Sequence, residues 1–180
     1  MINLIPWTQR EFEFNLSVGV FPSILERLRG TPARAAEIVE GVADEILSMR
    51  SDGKWSAKEH LGHLVDLDAL DQTRLQEFLS HVAKLSAADI GNQETENAGH
   101  RSASIAGILS RMRRGRQDLV LKLELLTERD VAIAAVHPRL RKPMRLLDWA
   151  WFVAEHDDHH LVQTRRVIQK HIDRQASSDS

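Results

Sequence analysis

The chain is organised around Glu155-His156-Asp157-Asp158-His159-His160, a stretch that lies inside the apolar segment Leu146 to Ile168. On an α-helix, a spacing of four residues places His156 and His160 on one face, with their Cβ atoms roughly 5–6 Å apart. Two neutral imidazoles in that arrangement can share one metal ion. The pair therefore predicts part of a metal site whose other ligands come from elsewhere in the chain.

The composition indicates one globular domain, because 180 residues suffice for one well-buried core and are few for two. A net charge of −2 gives no long-range attraction to nucleic acid or to an anionic membrane. The absence of cysteine excludes disulfides, thiolate zinc sites and a cysteine nucleophile. No apolar run reaches the ~18 residues of a membrane span, and the first residues lack a signal pattern, so we expect a cytoplasmic protein.

Apolar residues at helical spacing predict four main helices and hence a helix bundle. The first begins at Phe21-Pro22 and is either one bent helix or two, because Gly30 and Thr31-Pro32 resemble a stop and a new start. The others are expected from Ser56 to about Ser80, from about Ser102 to Leu126 and from about Met144 to Gln169. Ser56 and Glu59 form a capping box at the start of the second helix.

No strand pattern extends over a useful length, so the fold class that we predict is all-α. The predicted bundle occupies residues 21–172. It follows an N-terminal arm or short helix at 1–20 and precedes a disordered tail at 173–180.

A third histidine on a facing helix would complete a bundle metal site, and His63 on the second helix is the candidate. Three histidine ligands leave a coordination position open, as in catalytic sites. The alternative for each histidine is a residue of the core or the surface. Other sites have less support, because the chain contains no H-E-x-x-H, no pair of Glu-x-x-His motifs and no glycine-rich phosphate loop. No serine lies in a nucleophile elbow.

Two short blocks carry a resemblance to a known family. The first is Trp55-Ser56-Ala57-Lys58-Glu59-His60-Leu61-Gly62-His63-Leu64-Val65-Asp66, and the second is His156-Asp157-Asp158-His159-His160-Leu161-Val162-Gln163. Together they resemble the DinB superfamily, which includes YfiT-like metal-dependent hydrolases. Phe21-Pro22 and His137-Pro138 also resemble stretches of family members, so the likeness spans roughly residues 21 to 170.

The resemblance implies an up-and-down four-helix bundle, often a homodimer, that holds a divalent metal on three histidines. The family's ligand positions correspond to His63, His156 and His160, whereas His60 and His159 match no ligand position. Characterised relatives include enzymes that transfer or isomerise adducts of mycothiol, bacillithiol or glutathione. Three imidazoles suit zinc or nickel, which we expect first, and also iron, cobalt or manganese.

The leading hypothesis is an enzyme, either a hydrolase or a low-molecular-weight-thiol S-transferase, that acts on a small-molecule substrate. Asp66, Glu155 and Asp157 are the candidates for proton transfer, and Asp66 and Asp157 are also candidates for orienting an imidazole. Arg139, Arg141 and Lys142 would meet the carboxylates of a thiol cosubstrate if their loop approaches the site; otherwise they form a solvated loop.

Two further hypotheses compete with an enzyme. One is a metal-binding or stress-response module without turnover, which a pocket too small for a substrate would favour. The other is DNA binding through the cluster Arg111 to Arg116, which has no interleaved aromatic residues and is more typical of a solvated helix face. A nucleic-acid partner is therefore not expected.

Overall fold

A computed structural model describes residues 2–178 of the chain. The helices are α1 (Phe21–Val39), α2 (Asp44–Ser48), α3 (Ala57–Asp66), α4 (Asp68–Leu79), α5 (Gln93–Asn97), α6 (Ile105–Glu124), α7 (Glu128–Val131) and α8 (Leu146–Ser178). The strands are β1 (Ala134–His137) and β2 (Lys142–Arg145). The four-helix bundle that the sequence predicts is present, and it consists of α1, the pair α3 and α4, α6 and α8.

Helices α1 and α3 each pack mainly against α6 and α8, so α1 and α3 occupy opposite corners of the bundle. The buried residues form two hydrophobic clusters. One surrounds Trp149 and Phe152 in the first half of α8, and the other joins Leu61 and Leu64 of α3 to Leu161 of α8. Residues 153 to 161 of α8 connect the clusters, so His156, His159 and His160 lie at the junction between them.

The local signals of the first two helices act largely as predicted. Helix α1 is one helix with Pro32 inside it, and the nearby carbonyl of Arg27 accepts hydrogen bonds from the Thr31 hydroxyl and the Arg34 guanidinium. The capping box of Ser56 and Glu59 is present at the start of α3. The capping box satisfies backbone N–H groups that the first turn of the helix leaves without partners.

The prediction of one helix from Ser56 to Ser80 is wrong at Leu67, where a turn separates α3 from α4. Leu67 keeps its backbone hydrogen bond to the carbonyl of His63, and Asp71 donates to the carbonyl of Leu67. The interruption directly follows Asp66, whose carboxylate accepts hydrogen bonds from Thr95 of α5 and from His100. The apolar periodicity runs through this turn, so it gives no sign of the break.

A short hairpin corrects the expectation that the chain has no strands. Strands β1 and β2 pair antiparallel, with Ala134 opposite Arg145 and His137 opposite Lys142. Residues 83–85, which follow α4, bond to the hairpin through the backbone of Val136. Four-residue strands are too short to show a two-residue alternation in the sequence, and their stability depends on what they pack against.

The N-terminal arm contains 3₁₀ turns at Trp7–Gln9 and Val18–Val20. It packs on α8, where the ring of Trp151 lies 5.8 Å from that of Phe12. At the other end of the chain, α8 continues through Ser178. The predicted disorder is therefore wrong for residues 173–178, whereas residues 179–180 lie outside the described residues, as does residue 1. No helix between residues 2 and 178 is long and apolar enough to cross a membrane.

Candidate metal centre

Two histidines on α8 form the core of the candidate site. His156 and His160 are one helical turn apart, and their ring centroids are separated by 4.5 Å. Their Nε2 atoms lie 3.1 Å from each other, so both rings turn the same nitrogen toward one point. The pair that the sequence predicts on one helix face is therefore present.

His63 of α3 faces this pair across the bundle. Its ring centroid lies 4.8 Å from that of His160 and 5.4 Å from that of His156. One nitrogen from each of the three rings can be chosen so that all three atoms lie within 4.8 Å of one another. Packing of α3 against α8 thus brings together residues that are almost 100 positions apart in the chain.

Burial keeps these three imidazoles neutral. It lowers the pKa of His63 to about 4, although the carboxylate of Asp66 opposes the shift. Burial also lowers the pKa values of His156 and His160 well below the ordinary value, and the neighbouring histidines act in the same direction. A neutral imidazole has a lone pair to donate, which is the form that binds a metal ion.

A hydrogen-bond chain orients His63. The Thr95 hydroxyl donates to Asp66 Oδ2 at 2.8 Å and lies 2.9 Å from Nδ1 of His63. Because a carboxylate only accepts and the hydroxyl has one proton, Nδ1 of His63 must be the donor to Thr95. The lone pair of His63 is therefore on Nε2. The pKa of Asp66 is lowered because hydrogen bonds from His100 and Thr95 outweigh the effect of burial.

Two other histidines lie close to the cluster without joining it. Nδ1 of His60 lies 3.1 Å from Nδ1 of His160, so one of these neutral rings donates to the other. Burial lowers the pKa of His60 to about 4. His159 is buried next to His160, with 5.4 Å between their ring centroids, and its own ring centroid lies 5.8 Å from that of Trp7.

The structure places the other predicted carboxylates away from the histidines. Asp157 is fully buried and accepts two hydrogen bonds from Arg116, at 2.8 and 2.9 Å, so it orients no imidazole as the sequence suggested. Glu155 pairs with Arg10 and Arg27. Among Asp66, Glu155 and Asp157, only Asp66 is linked by hydrogen bonds to a histidine of the cluster. The link runs through the hydroxyl of Thr95 to His63.

A cavity of about 480 Å³ opens beside the cluster and is lined by all three histidines. Trp7 of the arm and Phe152 of α8 line it as well. Of the three basic loop residues that the sequence singles out, Arg139 lines this cavity. Lys142 instead donates to the carbonyl of Phe12.

The lining residues that were not expected from the sequence include Asp71, Arg74, Lys84 and His137. Burial raises the pKa of Asp71 to about 6, although Arg116 opposes the shift. Asp71 and Arg74 follow His63 by eight and eleven residues, so a helical stripe through His63 was the signal that could have found them. Lys84 and His137 depend on the hairpin, for which the sequence has no clear signal.

The chain is similar to known proteins in sequence and in fold. Residues 27–164 match the model of the DinB superfamily. The comparison with curated proteins found no match. Among solved structures the chain is similar to YfiT from Bacillus subtilis, described as "a probable metal-dependent hydrolase with an unusual four-helix bundle topology". That likeness has a TM-score of 0.79 and 18% identity, and it covers 89% of this chain and 93% of YfiT. At this identity the likeness shows the fold.

Proposed function

This chain belongs to the DinB superfamily, as its two histidine blocks indicate, and on that basis we propose that it is a metal-dependent enzyme acting on a small molecule. The proposed metal ligands are His63, His156 and His160, with zinc or nickel as the first expectation. The observation that carries the proposal is that nitrogen atoms of the three rings lie within 4.8 Å of one another. Hydrolysis and transfer of a low-molecular-weight thiol are the two candidate reactions.

The donor set fits a divalent transition metal. All three rings are held neutral by burial, and the bond to Thr95 leaves Nε2 of His63 as its ligand atom. In His160, Nδ1 lies within hydrogen-bond distance of Nδ1 of His60, and Nε2 faces Nε2 of His156. When bound, a divalent ion supplies Lewis acidity, which polarises a carbonyl oxygen or lowers the pKa of a water or a thiol.

The cavity supports an enzyme over a metal-binding module without turnover. Its volume of about 480 Å³ lies in the ~300–1,000 Å³ range typical of small-molecule sites. A module that only stores or senses a metal has no need of such a space beside its ligands. The non-catalytic module remains the alternative, and the assays below separate the two.

Several residues of the chain have roles in the proposed reaction. Asp71 lines the cavity, and its pKa of about 6 suits a group that accepts a proton near neutral pH. Thr95 and Asp66 hold the His63 ring in one tautomer. Trp7 covers the cluster from the arm, with its ring centroid 4.8 Å from that of His156, and so limits the access of water.

The first experiment is elemental analysis of the purified full-length protein and of three variants. We expect about one transition metal per chain in the wild type and its loss in His63→Ala and His156→Ala. His81→Asn is the matched control, because His81 is exposed and asparagine tolerates its positive φ of 55°. A wild type that binds no metal after incubation with zinc or nickel would contradict the proposal.

A positioning role for Thr95 gives a second test of the same site. Thr95→Val removes the hydroxyl that holds His63, so we expect metal affinity to fall about 10–100-fold while the stoichiometry at saturation is unchanged. Competition with a chromophoric chelator measures the affinity. An unchanged affinity would show that the hydrogen-bond chain does not support the metal site.

Activity assays on the metal-loaded protein distinguish the two reactions. Hydrolysis of 4-nitrophenyl esters tests the hydrolase, and conjugation of monochlorobimane with glutathione, bacillithiol or mycothiol tests the thiol transferase. We expect Asp71→Asn to lower kcat in whichever reaction is found, with its metal content unchanged. Metal-loaded protein that is inactive in both assays would favour the non-catalytic module.

A homodimer is proposed from the family resemblance. Trp151 and Phe152 pack against the N-terminal arm, so they are not available as a dimer surface. Sedimentation equilibrium of the full chain measures the assembly directly, and a single species at the monomer mass would contradict the proposal.

A further inference from the structure

The cavity is lined by a further histidine outside the cluster of His63, His156 and His160. His137 ends β1 and is 2% exposed. Its Nδ1 accepts a hydrogen bond from the backbone N–H of Leu140 at 3.2 Å. Because a neutral imidazole has one donor and one acceptor nitrogen, Nε2 of His137 carries the proton. This buried N–H has no acceptor among residues 2–178.

Arg139, two residues after His137 in the hairpin turn, adds a second buried donor. Arg139 lines the same cavity, and its Nη2 is buried without a hydrogen-bond acceptor in the described part of the chain. Its Nη1 makes a long bond of 3.5 Å to the carbonyl of Trp7. The guanidinium lies against two neighbouring rings, with Cζ 5.6 Å from the centroid of Trp7 and 5.5 Å from that of Phe152. Stacking thus fixes its position without satisfying all its donors.

Both donors lie beside Phe152, and the position of Phe152 on α8 shows how far they are from the histidine cluster. The ring of His137 is 5.1 Å from that of Phe152, and Arg139 stacks on the same ring. Phe152 precedes His156 by four residues on α8, a rise of ~6 Å along the helix. The two donors are therefore about one helical turn from the histidine cluster, and the rings of Trp7 and Phe152 line the cavity that both share.

Buried donors without acceptors are uncommon in folded proteins, and each costs free energy that a bound acceptor would recover. We infer that His137 Nε2–H and the Arg139 guanidinium form a subsite for the carboxylate of a short, partly apolar substrate whose reacting end meets the histidine cluster. This inference names the substrate class and rests on the proposed function for its catalytic meaning. The binding of the carboxylate itself requires no metal.

The donors suit a carboxylate more than a phosphate. One guanidinium edge and one imidazole N–H match the two oxygens of a monoanion. The neighbouring Arg74 already donates through Nε and Nη2 to the carbonyl of Ser86, so its charge is present but these donors are occupied. Asp71 also lines the cavity and opposes a second negative charge.

The test is isothermal titration calorimetry of 3-phenylpropanoate, 3-phenylpropanamide and phenyl phosphate into the full-length protein. Each titration uses chelator-treated and metal-loaded samples in a buffer without carboxylates. The variants are Arg139→Gln, which removes the charge, and His137→Asn, whose amide oxygen preserves the bond to Leu140 without an Nε2. Arg141→Gln is the matched control, because Arg141 is an exposed cation two residues away that does not line the cavity.

In chelator-treated protein, we expect 3-phenylpropanoate to bind about tenfold or more tightly than the amide. Arg139→Gln and His137→Asn should each lose about tenfold, and Arg141→Gln should change affinity less than about twofold. Equal binding of acid and amide, no saturable binding, or equal effects of Arg139→Gln and Arg141→Gln would overturn the inference. Tighter binding of phenyl phosphate would overturn the assignment to a carboxylate.

The same titrations separate this inference from the proposed function. If the chelator-treated protein binds the acid but no metal is found on the histidines, the subsite stands and the metal-dependent enzyme fails. If the protein binds metal at the three histidines but shows no preference for the acid, the reverse holds. Circular dichroism of each variant establishes that a loss of binding is not a loss of fold.

Discussion

The buried ion pair between Arg116 and Asp157 gives the sharpest prediction about stability. Arg116 is 1% exposed and Asp157 is 0% exposed, and two hydrogen bonds of 2.8 and 2.9 Å join them. Arg116 also donates to Asp68 at 2.7 Å, and a weaker contact reaches Asp71 at 3.4 Å. The guanidinium therefore joins α6 to α4 and α8, and Arg116 lines the cavity beside the three histidines.

The perturbation is Arg116→Met, which keeps an unbranched chain of similar length and removes the charge. Asp157 is then left as a buried carboxylate without its cation. Loss of one partner from a buried, hydrogen-bonded pair costs about 3–5 kcal/mol, so we expect the free energy of unfolding to fall by about this amount. The matched control is Arg113→Met on the exposed side of α6, which should change stability by less than about 0.5 kcal/mol.

Urea denaturation of the metal-free proteins, followed by circular dichroism, measures these differences. The double variant Arg116→Met with Asp157→Leu removes both charges, so we expect it to be more stable than Arg116→Met alone. A loss below about 1 kcal/mol for Arg116→Met would refute the importance of the pair. Strictly additive effects in the double variant would show that lost packing, and not the unpaired charge, is the cause.

Two further predictions test packing and pH dependence. A Cβ on Gly62 would overlap the ring of His100, so Gly62→Ala should lower the unfolding free energy by about 1–3 kcal/mol. A Cβ on Gly30 would lie 3.9 Å from its nearest neighbour, so Gly30→Ala in helix α1 should raise the unfolding free energy by about 0.5–1 kcal/mol. Thermal denaturation of the two variants measures both changes. Burial, with Arg74 and Arg139, lowers the pKa of His137 from 6.5 to about 3, so the unfolded chain takes up this proton first as pH falls. Wild type should therefore lose about 1–2 kcal/mol relative to His137→Asn between pH 7.5 and 5 in urea titrations, and a constant difference would contradict this.

Much of the site was predictable because its signals are local. The four-residue spacing of His156 and His160 determines their common face wherever the helix forms. The position of His63 follows from the family pattern around the capping box of Ser56 and Glu59, and both are short-range features. Packing of α3 on α8 then brings the three rings together, as a bundle with facing apolar stripes requires.

Other features depended on partners distant in sequence. Arg116 belongs to a run of arginines typical of a solvated face, yet three aspartates from α4 and α8 bury it. A single residue's burial depends on which charges the fold places opposite it, and local composition carries no record of that. The same holds for His137 and Arg139, which reach the cavity because a hairpin too short to be read from periodicity packs beside α8.

The sequence by itself therefore determined the helical class of the fold, the faces of its helices and the three histidines to examine. Helical spacing and capping depend on residues only a few positions apart, so the local sequence is sufficient to predict those properties. Only the tertiary structure decided that Asp157 pairs with Arg116, that Asp66 acts on His63 through Thr95, and that a cavity lies beside the cluster. These contacts depend on how separate segments pack in space, and a hydrogen bond or an ion pair forms only at the distances that packing sets.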